Sequence, residues 1–226
     1  GIPLGVITAA NKDSTMDNIF KTFSFAAVVT PGFIVGLAFQ LIFGYGLDIL
    51  PITGRLSSAL SSPPEITRLL VFDSLVYGQW NVLLDALKHI LLPSLALSMA
   101  GIGQVSRITR TTMIEIGEKD YVAVMHSYGV PKSIINFIYM LKPSFIPSLN
   151  VIGMTFASLL GNAFLIEMVF AWPGIAKYGI NALLRTDINA LMGVVLLIGA
   201  FFLFTNFIVD IIMGLLDPRI SLMGGE

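Results

Sequence analysis

The sequence predicts an all-α integral membrane protein built as a polytopic bundle of helices. Of its 226 residues, 55% are hydrophobic and only 12% are charged, and the mean hydropathy is +0.85. Soluble domains carry roughly 25% charged residues, about twice this share. The apolar residues also come in long runs without charge, as a bilayer requires. The net charge of −1 argues against a basic surface for nucleic acid, and these 226 residues contain no cysteine for disulfides or thiolate metal sites.

Four runs are long enough to cross a bilayer as helices, which takes about 20 apolar residues because every backbone polar group must be paired internally. They are residues 22–47, 89–107, 143–167 and 188–210. Residues 1–10 are apolar but too short to cross, and we interpret them as the end of an earlier span that begins before this chain. Prolines in or beside three of the runs predict kinks there. These prolines are Pro31, Pro93 and Pro147.

The distribution of positive charge predicts the orientation of the chain. Four crossings place both ends on the same side, and cytoplasmic loops are enriched in lysine and arginine. Of the 13 lysines and arginines, eight fall on one side and five on the other. The eight are Lys12, Lys21, Arg107, Arg110, Lys119, Lys132, Lys142 and Arg219, and the five are Arg55, Arg68, Lys88, Lys177 and Arg185. Both ends and residues 108–142 are therefore expected to be cytoplasmic.

Residues 108–142 contain a predicted short helix. Met113–Tyr128 can form this helix, Gly129 is suited to end it, and Pro131 is suited to begin the next one. A helix held between two spans in this way is shaped to insert into a groove on a partner protein. A helix that simply lies on the bilayer surface is the alternative, and the spacing of the residues does not decide between the two.

The motifs of this loop resemble a known family. Asp120-Tyr121-Val122, Gly129 and Pro147 have the spacing found in ABC importer permeases of the dipeptide, oligopeptide and nickel type, specifically the first of the two paired permeases. The resemblance covers nearly the whole chain. Further matching pieces, in order, are Gly1-Ile2-Pro3-Leu4-Gly5, Leu50-Pro51 with Gly54, His89 to Pro93, Arg107-Ile108-Thr109-Arg110, Glu167-Met168-Val169-Phe170 with Trp172-Pro173-Gly174, Asp187, Asp210 and Leu216-Asp217-Pro218-Arg219.

This resemblance implies the fold of a type I ABC importer permease in the inner (cytoplasmic) membrane, with residues 1–226 as a single transmembrane permease domain of four complete spans plus the end of another. The chain would form half of a pathway for peptides or a similar small solute, such as a nickel chelate or an oligosaccharide. The implied partners are a homologous second permease, two ATP-binding subunits, an extracytoplasmic substrate-binding protein and the lipid bilayer, with no nucleic acid.

The resemblance also implies that residues 108–142 form a coupling loop to the ATPase. The residues carried over to that role are Asp120, Tyr121, Val122, Gly129, Val130 and Pro131. Two positions depart from the family pattern. Met125-His126-Ser127-Tyr128 stands where the family usually has Ala-Arg-Ala-Lys, and Ala176 stands where a second glycine is common. The first departure removes charge from the expected contact with the ATPase.

No residue of this chain is expected to bind a cofactor or a metal, or to act in catalysis. The phosphate-binding motif Gly-x-x-x-x-Gly-Lys-Ser/Thr does not occur in the sequence, so ATP-Mg is expected on the partner ATPase subunits. His89 and His126 are predicted on opposite sides of the membrane, which excludes a shared metal site.

Five residues near the predicted outer ends of the spans are candidates for the pathway or an outer gate. They are Glu167, Trp172, Pro173, Gly174 and Asp187. A charge at the membrane is costly and usually functional, but near the interface a carboxylate such as that of Glu167 can instead accept a structural hydrogen bond. Asp210, after the last span, is expected to pair with Arg107 or Arg110.

A secondary transporter driven by an ion gradient is the alternative function. It would require charged or polar coupling residues at mid-membrane and a repeat between its halves, whereas the four predicted spans have no charge in their interiors. An intramembrane enzyme would require a nucleophile and base or a metal cluster, for which the residue types are not grouped. The sequence does not identify the cargo.

Overall fold

Helices make up most of the part of the chain that the structure describes. The computed structural model describes residues 1–216, including every side chain among them except those of Ala157, Leu160 and Leu216. No β-strand occurs in this range, which confirms the predicted all-α class. The helices are α1 (Ile2–Ala10), α2 (Thr15–Val29), α3 (Gly32–Phe39), α4 (Leu70–Val76), α5 (Trp80–Gly117), α6 (Asp120–Ser127), α7 (Lys132–Ile134), α8 (Leu141–Val169), α9 (Ile175–Leu184) and α10 (Ile188–Leu216). The predicted tail motif Asp217-Pro218-Arg219 lies outside the described residues.

Two helices, α5 and α10, are each long and apolar enough to cross a membrane by themselves. Two interrupted segments also qualify if each is counted as one span: Thr15–Val29 with Gly32–Gly46, and Lys132–Phe156 with Gly161–Val169. Residues 1–216 therefore hold two to four candidate spans, and the count of four crossings stays a prediction. At 38 residues, α5 extends beyond the predicted span 89–107 at both ends.

The three prolines act differently on their helices. Pro31 separates α2 from α3, because the residue before a proline is disfavoured in the helical conformation, and Thr30 is extended with φ −79° and ψ 123°. The predicted run 22–47 is therefore interrupted at this point. Pro93 and Pro147 instead lie inside α5 and α8, which stay helical on both sides of these prolines. Proline is tolerated at such positions when the freed carbonyl finds another partner.

π-Helical turns extend two of the helices. Gln40–Gly46 continues α3, and Ile135–Met140 continues α7 into α8. A π-helical turn places one extra residue in a turn and often marks a functional position in a helix. The first of these turns carries Gln40, a buried polar side chain in an otherwise apolar run.

Contacts within the chain separate two units. The first consists of Gly1–Thr30, Met99–Ser158 and the described residues from Gly199 onward, and the second consists of Pro31–Ser98 and Leu159–Ile198. The buried core of the first unit is formed by six side chains from α1, α5, α6 and the helical turns before α8. They are Val6, Ala9, Met113, Val122, Ile135 and Met140.

Close backbone approach brings α1 and α2 against α5 in the first unit. A Cβ on Gly103 of α5 would lie 2.6 Å from the carbonyl oxygen of Ser24 on α2, a distance that real Cβ atoms do not adopt. Gly5 of α1 likewise leaves room for Thr109 of α5. Small residues allow such contact between membrane helices without a layer of side chains between them. The close approach brings Ser24 of α2 next to Gly103 of α5, and Thr109 of α5 next to Gly5 of α1.

The second unit has its own core, made by Leu92, Ala96, Ile166 and Phe170. The segment that follows the first π-helical turn is attached to this core by polar contacts. The Gln40 side-chain amide donates to the carbonyl oxygens of Ile52 at 2.7 Å and Val169 at 3.0 Å. These bonds satisfy a buried amide and hold the segment around Ile52 against the end of α8.

Candidate functional site

The loop between α5 and α8 contains a separate short helix, α6. The sequence predicted one helix over Met113–Tyr128, and that boundary is wrong. Residues up to Gly117 belong to α5, and α6 begins at Asp120 after Lys119, which is extended with φ −76° and ψ 144°. An acidic residue in the first turn, Asp120, is favourable there because the N-terminus of a helix carries partial positive charge.

One face of α6 attaches it to the core of the first unit. Val122 is 2% exposed and packs in that core, with Met125 and Val130 partly buried beside it. The hydroxyl of Tyr121 also donates to the carbonyl oxygen of Tyr139, at a long 3.4 Å. A few apolar contacts therefore hold α6 in place.

The opposite face of α6 presents large apolar side chains to the surroundings. Tyr128 is 83% exposed, Val124 is 50% exposed and Tyr121 is 42% exposed. Exposed apolar groups that lie together often mark a surface that binds a partner. At the two positions where the family pattern has basic residues, this chain has His126 and Tyr128.

Gly129 and Pro131 shape the exit from α6 as the sequence predicted. Gly129 has φ +72°, a left-handed conformation that costs L-residues with a Cβ roughly 1–2 kcal/mol. Pro131 stands immediately before α7, and its carbonyl oxygen accepts the backbone N–H groups of Ile134 and Ile135 at 2.9 and 3.1 Å. The turn is therefore determined by the local backbone preferences of these two residues.

A buried ion pair joins α2 to α5 in the same unit. The Arg110 guanidinium donates two hydrogen bonds of 2.7 Å to the Asp17 carboxylate, whose side chain is fully buried. The ammonium of Lys21 approaches the same carboxylate at 2.9 Å. The expected pairing of Asp210 with Arg107 or Arg110 is therefore wrong: Arg110 is taken by Asp17, and among residues 1–216 no carboxylate lies within 4.0 Å of Arg107. Two sequence signals pointed to Asp17: the capping residue Ser14 three positions before it, and Lys21 four positions after it.

In the second unit, Glu167 caps the start of α9. Its carboxylate accepts the backbone N–H of Lys177 at 2.9 Å. Gly174 leaves room for this carboxylate, because a Cβ at that position would collide with it in its present place. These contacts favour the structural interpretation of Glu167 over the gating one.

Replacing Gly174 with alanine is predicted to displace the Glu167 carboxylate and cost about 1 kcal/mol, the usual value of a lost helix cap. The carboxylate is the free end of a flexible side chain, so it moves away and the Lys177 amide loses its acceptor. Faster hydrogen exchange at that amide is the measurement. Gly193→Ala is the matched control, since no atom lies within 4 Å of a Cβ there. Unchanged Lys177 exchange in Gly174→Ala would contradict the cap.

The five outer candidates do not form one cluster. Glu167 and Trp172 line a cavity of about 240 Å³ together with Pro93 and Ser94. Pro173 and Gly174 line a different cavity, of about 410 Å³, between α9 and the start of α10.

Asp187 has a local role at the start of α10. Its carboxylate accepts the Ala190 backbone N–H at 3.0 Å, as the capping residue of a helix does. This contact accounts for an acidic residue directly before an apolar helix.

Sequence reasoning missed the polar contacts that hold the segment between α3 and α5. The Asp85 carboxylate accepts the N–H and the hydroxyl of Ser57, each at 2.8 Å. Asp73 accepts the Thr67 N–H at 3.0 Å and its hydroxyl at 2.8 Å. Burial acts to raise the pKa of Asp73, but hydrogen bonds from Thr67, Ile66 and Arg68 outweigh it and hold the pKa below its usual value.

Metal binding finds no support in the described residues. Within residues 1–216, no group of three or more histidine, aspartate or glutamate side chains is placed to hold an ion. His89 instead contacts its own helix, with Nδ1 2.8 Å from the carbonyl oxygen of Asp85.

These features define a helical membrane protein in which an exposed loop helix follows a long apolar one. The chain belongs to the family described as binding-protein-dependent transport system inner membrane components, whose model matches residues 1–222. This membership confirms the resemblance seen in the sequence.

Curated relatives agree with this family. The chain is 34% identical over 226 residues to the probable D,D-dipeptide transport system permease protein DdpB of Escherichia coli K12, covering all of this chain and 66% of that protein. It is 34% identical to the di/tripeptide transport system permease protein DppB of Pseudomonas aeruginosa, in a match that covers 97% of this chain and 65% of that protein. It is 30% identical to the oligopeptide transport system permease protein OppB of Salmonella typhimurium, in a match that covers 97% of this chain and 63% of that protein. The chain thus spans just under two thirds of the length of these relatives.

Proposed function

We propose that this chain is the transmembrane permease subunit of an ATP-driven, binding-protein-dependent ABC importer. In this role it forms half of the translocation pathway and couples to a separate ATPase through α6. The observation that carries the proposal is the arrangement of α6, which is attached through Val122 while Tyr128 and Val124 face outward. A helix held on one side and exposed on the other suits a groove on a partner.

Force on α6 has a direct route into the membrane helices. α6 lies between α5 and α8, and Val122 packs in one core with Met113 of α5 and Met140 before α8. When ATP closes the two ATPase subunits, the push on α6 would turn these helices as a rigid body and alternate the access of the pathway. In this proposal ATP-Mg binds the ATPase partners. The orientation expected from the distribution of lysine and arginine puts α6 and both chain ends in the cytoplasm.

The remaining partners follow from the same proposal. A homologous second permease completes the pathway, two ATP-binding subunits supply energy, and an extracytoplasmic binding protein delivers the cargo. Short peptides are the proposed cargo, because the relatives named above are dipeptide, di/tripeptide and oligopeptide permeases. Those names lend no support to a nickel chelate or an oligosaccharide.

Purification and reconstitution test this function. The full protein is isolated from its membrane with its bound partners, which are identified by mass spectrometry, and the complex is placed in proteoliposomes. We expect ATPase subunits and a homologous permease to copurify. Uptake of a labelled dipeptide is expected to require both ATP and the binding protein. A protein that purifies alone and takes up solute with an ion gradient but without ATP would instead be a secondary transporter.

A further inference from the structure

A cavity of about 210 Å³ lies between α2 and α5 in the first unit, and nothing in the proposed transport function uses it. Three cationic side chains line it, from Lys21, Arg107 and Arg110. Its lining also includes Ser24 and Ser106, two buried residues with hydroxyl groups. The cavity therefore offers an anion both positive charge and hydrogen-bond donors.

The charge around this cavity is only partly neutralised within the chain. Asp17 accepts bonds from Arg110 and Lys21, so one carboxylate is shared between two cations. Asp13 lies farther from Lys21, at 3.8 Å. Among residues 1–216, no carboxylate lies within 4.0 Å of Arg107, whose side chain is exposed. Within the described residues, Arg107 is thus the cation of this cavity that has no carboxylate partner.

The cavity also has an apolar side that points to an amphipathic ligand. Phe20 and Phe25 line it, and Phe25 is 66% exposed. Lys21 directly precedes the predicted span 22–47 and Arg107 ends the predicted span 89–107, so the cations lie at the same predicted interface. Lipid phosphates lie at that depth, and basic pockets between membrane helices on the cytoplasmic side bind anionic headgroups.

We propose that this cavity binds the headgroup of an anionic phospholipid. The phosphate is held by Arg107 and by the free donors of Lys21 and Arg110, while the acyl chain lies along Phe25. The site concerns lipid binding and goes beyond the proposed transport function; only the assignment to the cytoplasmic leaflet rests on the orientation in that proposal. A cavity of this size, several times the roughly 30 Å³ of a water molecule, has room for a phosphate and its ester oxygens.

Native mass spectrometry of the purified complex, titrated with defined lipids, tests the site. We expect phosphatidylglycerol to bind about tenfold more tightly than phosphatidylcholine, because both lipids carry the phosphate but the choline ammonium of phosphatidylcholine is repelled by the cations of the cavity. Arg107→Gln is expected to lower the affinity for phosphatidylglycerol about tenfold. Lys142→Gln is the matched control, because Lys142 is an exposed cation at the same predicted interface but outside the cavity, and its change is expected to stay under about twofold.

Phe25→Ala and inorganic phosphate distinguish a lipid from a free anion. If the acyl chain contributes, Phe25→Ala weakens phosphatidylglycerol binding and millimolar phosphate displaces the lipid poorly. Complete displacement by phosphate, with no effect of Phe25→Ala, would make this a site for free phosphate and overturn the proposal. Equal binding of the two lipids, or equal effects of Arg107→Gln and Lys142→Gln, would also overturn it.

The lipid measurement is independent of transport. It uses neither ATP nor peptide, so a complex with normal ATP-driven uptake and no preference for phosphatidylglycerol would overturn the lipid site alone. A complex that prefers phosphatidylglycerol but transports without ATP would overturn the proposed function alone. Melting curves of the variants verify folding, and Arg107 is a suitable position because its exposed side chain has no carboxylate partner in the described part of the chain.

Discussion

Asp17→Ala is expected to lower the free energy of unfolding by about 3–5 kcal/mol, the usual cost of removing one partner of a buried ion pair. The Asp17 side chain is fully buried, and Arg110, with which it shares two 2.7 Å bonds, is only 18% exposed. Without the carboxylate, the largely buried guanidinium loses two charge-assisted hydrogen bonds and its compensating charge. Denaturant titration of the purified protein in mixed micelles measures the loss.

An exposed ion pair in the same unit provides the control for Asp17. Lys12 and Glu118 approach at 3.5 Å, with side chains 49% and 71% exposed. Glu118→Ala is expected to cost less than about 1 kcal/mol, because water and salt screen exposed pairs. Asp17→Asn keeps the size of the side chain, so its loss of unfolding free energy should fall between those of Asp17→Ala and Glu118→Ala. If Asp17→Ala and Glu118→Ala cost the same, the buried pair does not stabilise the contact of α2 with α5.

Gly129→Val is expected to reduce ATP-coupled uptake about tenfold or more. The φ of +72° at this position is strongly unfavourable for a β-branched residue, and a cost of about 1.4 kcal/mol already shifts a conformational equilibrium tenfold. No atom lies within 4 Å of a Cβ at Gly129, so the effect comes from the backbone and not from a clash. Peptide uptake and ATP hydrolysis, measured together in proteoliposomes, report the coupling.

Two further substitutions show whether the conformation of this turn matters. Asparagine tolerates the left-handed region, so Gly129→Asn should retain most of the coupled uptake. Gly78 also has a positive φ, +64°, and open space around a Cβ, but it lies outside the proposed coupling loop. Gly78→Val therefore imposes similar strain elsewhere and should leave ATP hydrolysis coupled to uptake. Normal coupled uptake by Gly129→Val would reject the proposed role of the loop.

The two sets of variants separate stability from coupling. Asp17 contributes to the attachment of α2 to α5, whereas Gly129 contributes to the direction in which the chain leaves α6. Loss of uptake in Asp17→Ala should follow the loss of folded protein. Loss of uptake in Gly129→Val should occur in protein that is still folded, because the turn is exposed and only a few apolar contacts depend on it.

Features that depend on neighbouring residues were predictable from the sequence. The end of α6 at Gly129 and the start of α7 after Pro131 follow from the backbone preferences of those two residues. The all-α class follows from long apolar runs, since a bilayer allows few other structures. The division between α5 and α6 was missed, although Gly117, the last residue of α5, is of a type that commonly ends helices.

Contacts between distant residues were not predictable in the same way. Arg110 could pair with Asp210 or Asp17 by charge alone, and Asp17, 93 positions away, is the partner. Gln40 bonds to a carbonyl oxygen 129 positions away. The sequence carries the polar groups but not their distances, and a buried charge or amide takes whichever partner the packing of helices brings within hydrogen-bond reach.

By itself, the sequence determined the class of the protein, the long apolar runs, the turn at Gly129 and the family to which the chain belongs. Each of these rests on composition, local backbone preference or motif spacing, which need no knowledge of packing. Only the tertiary structure decided that Glu167 caps α9, that Asp17 holds Arg110, and that Arg107 borders a cavity beside Phe25. The physical reason is that burial and hydrogen bonding are properties of side chains brought together from distant parts of the chain.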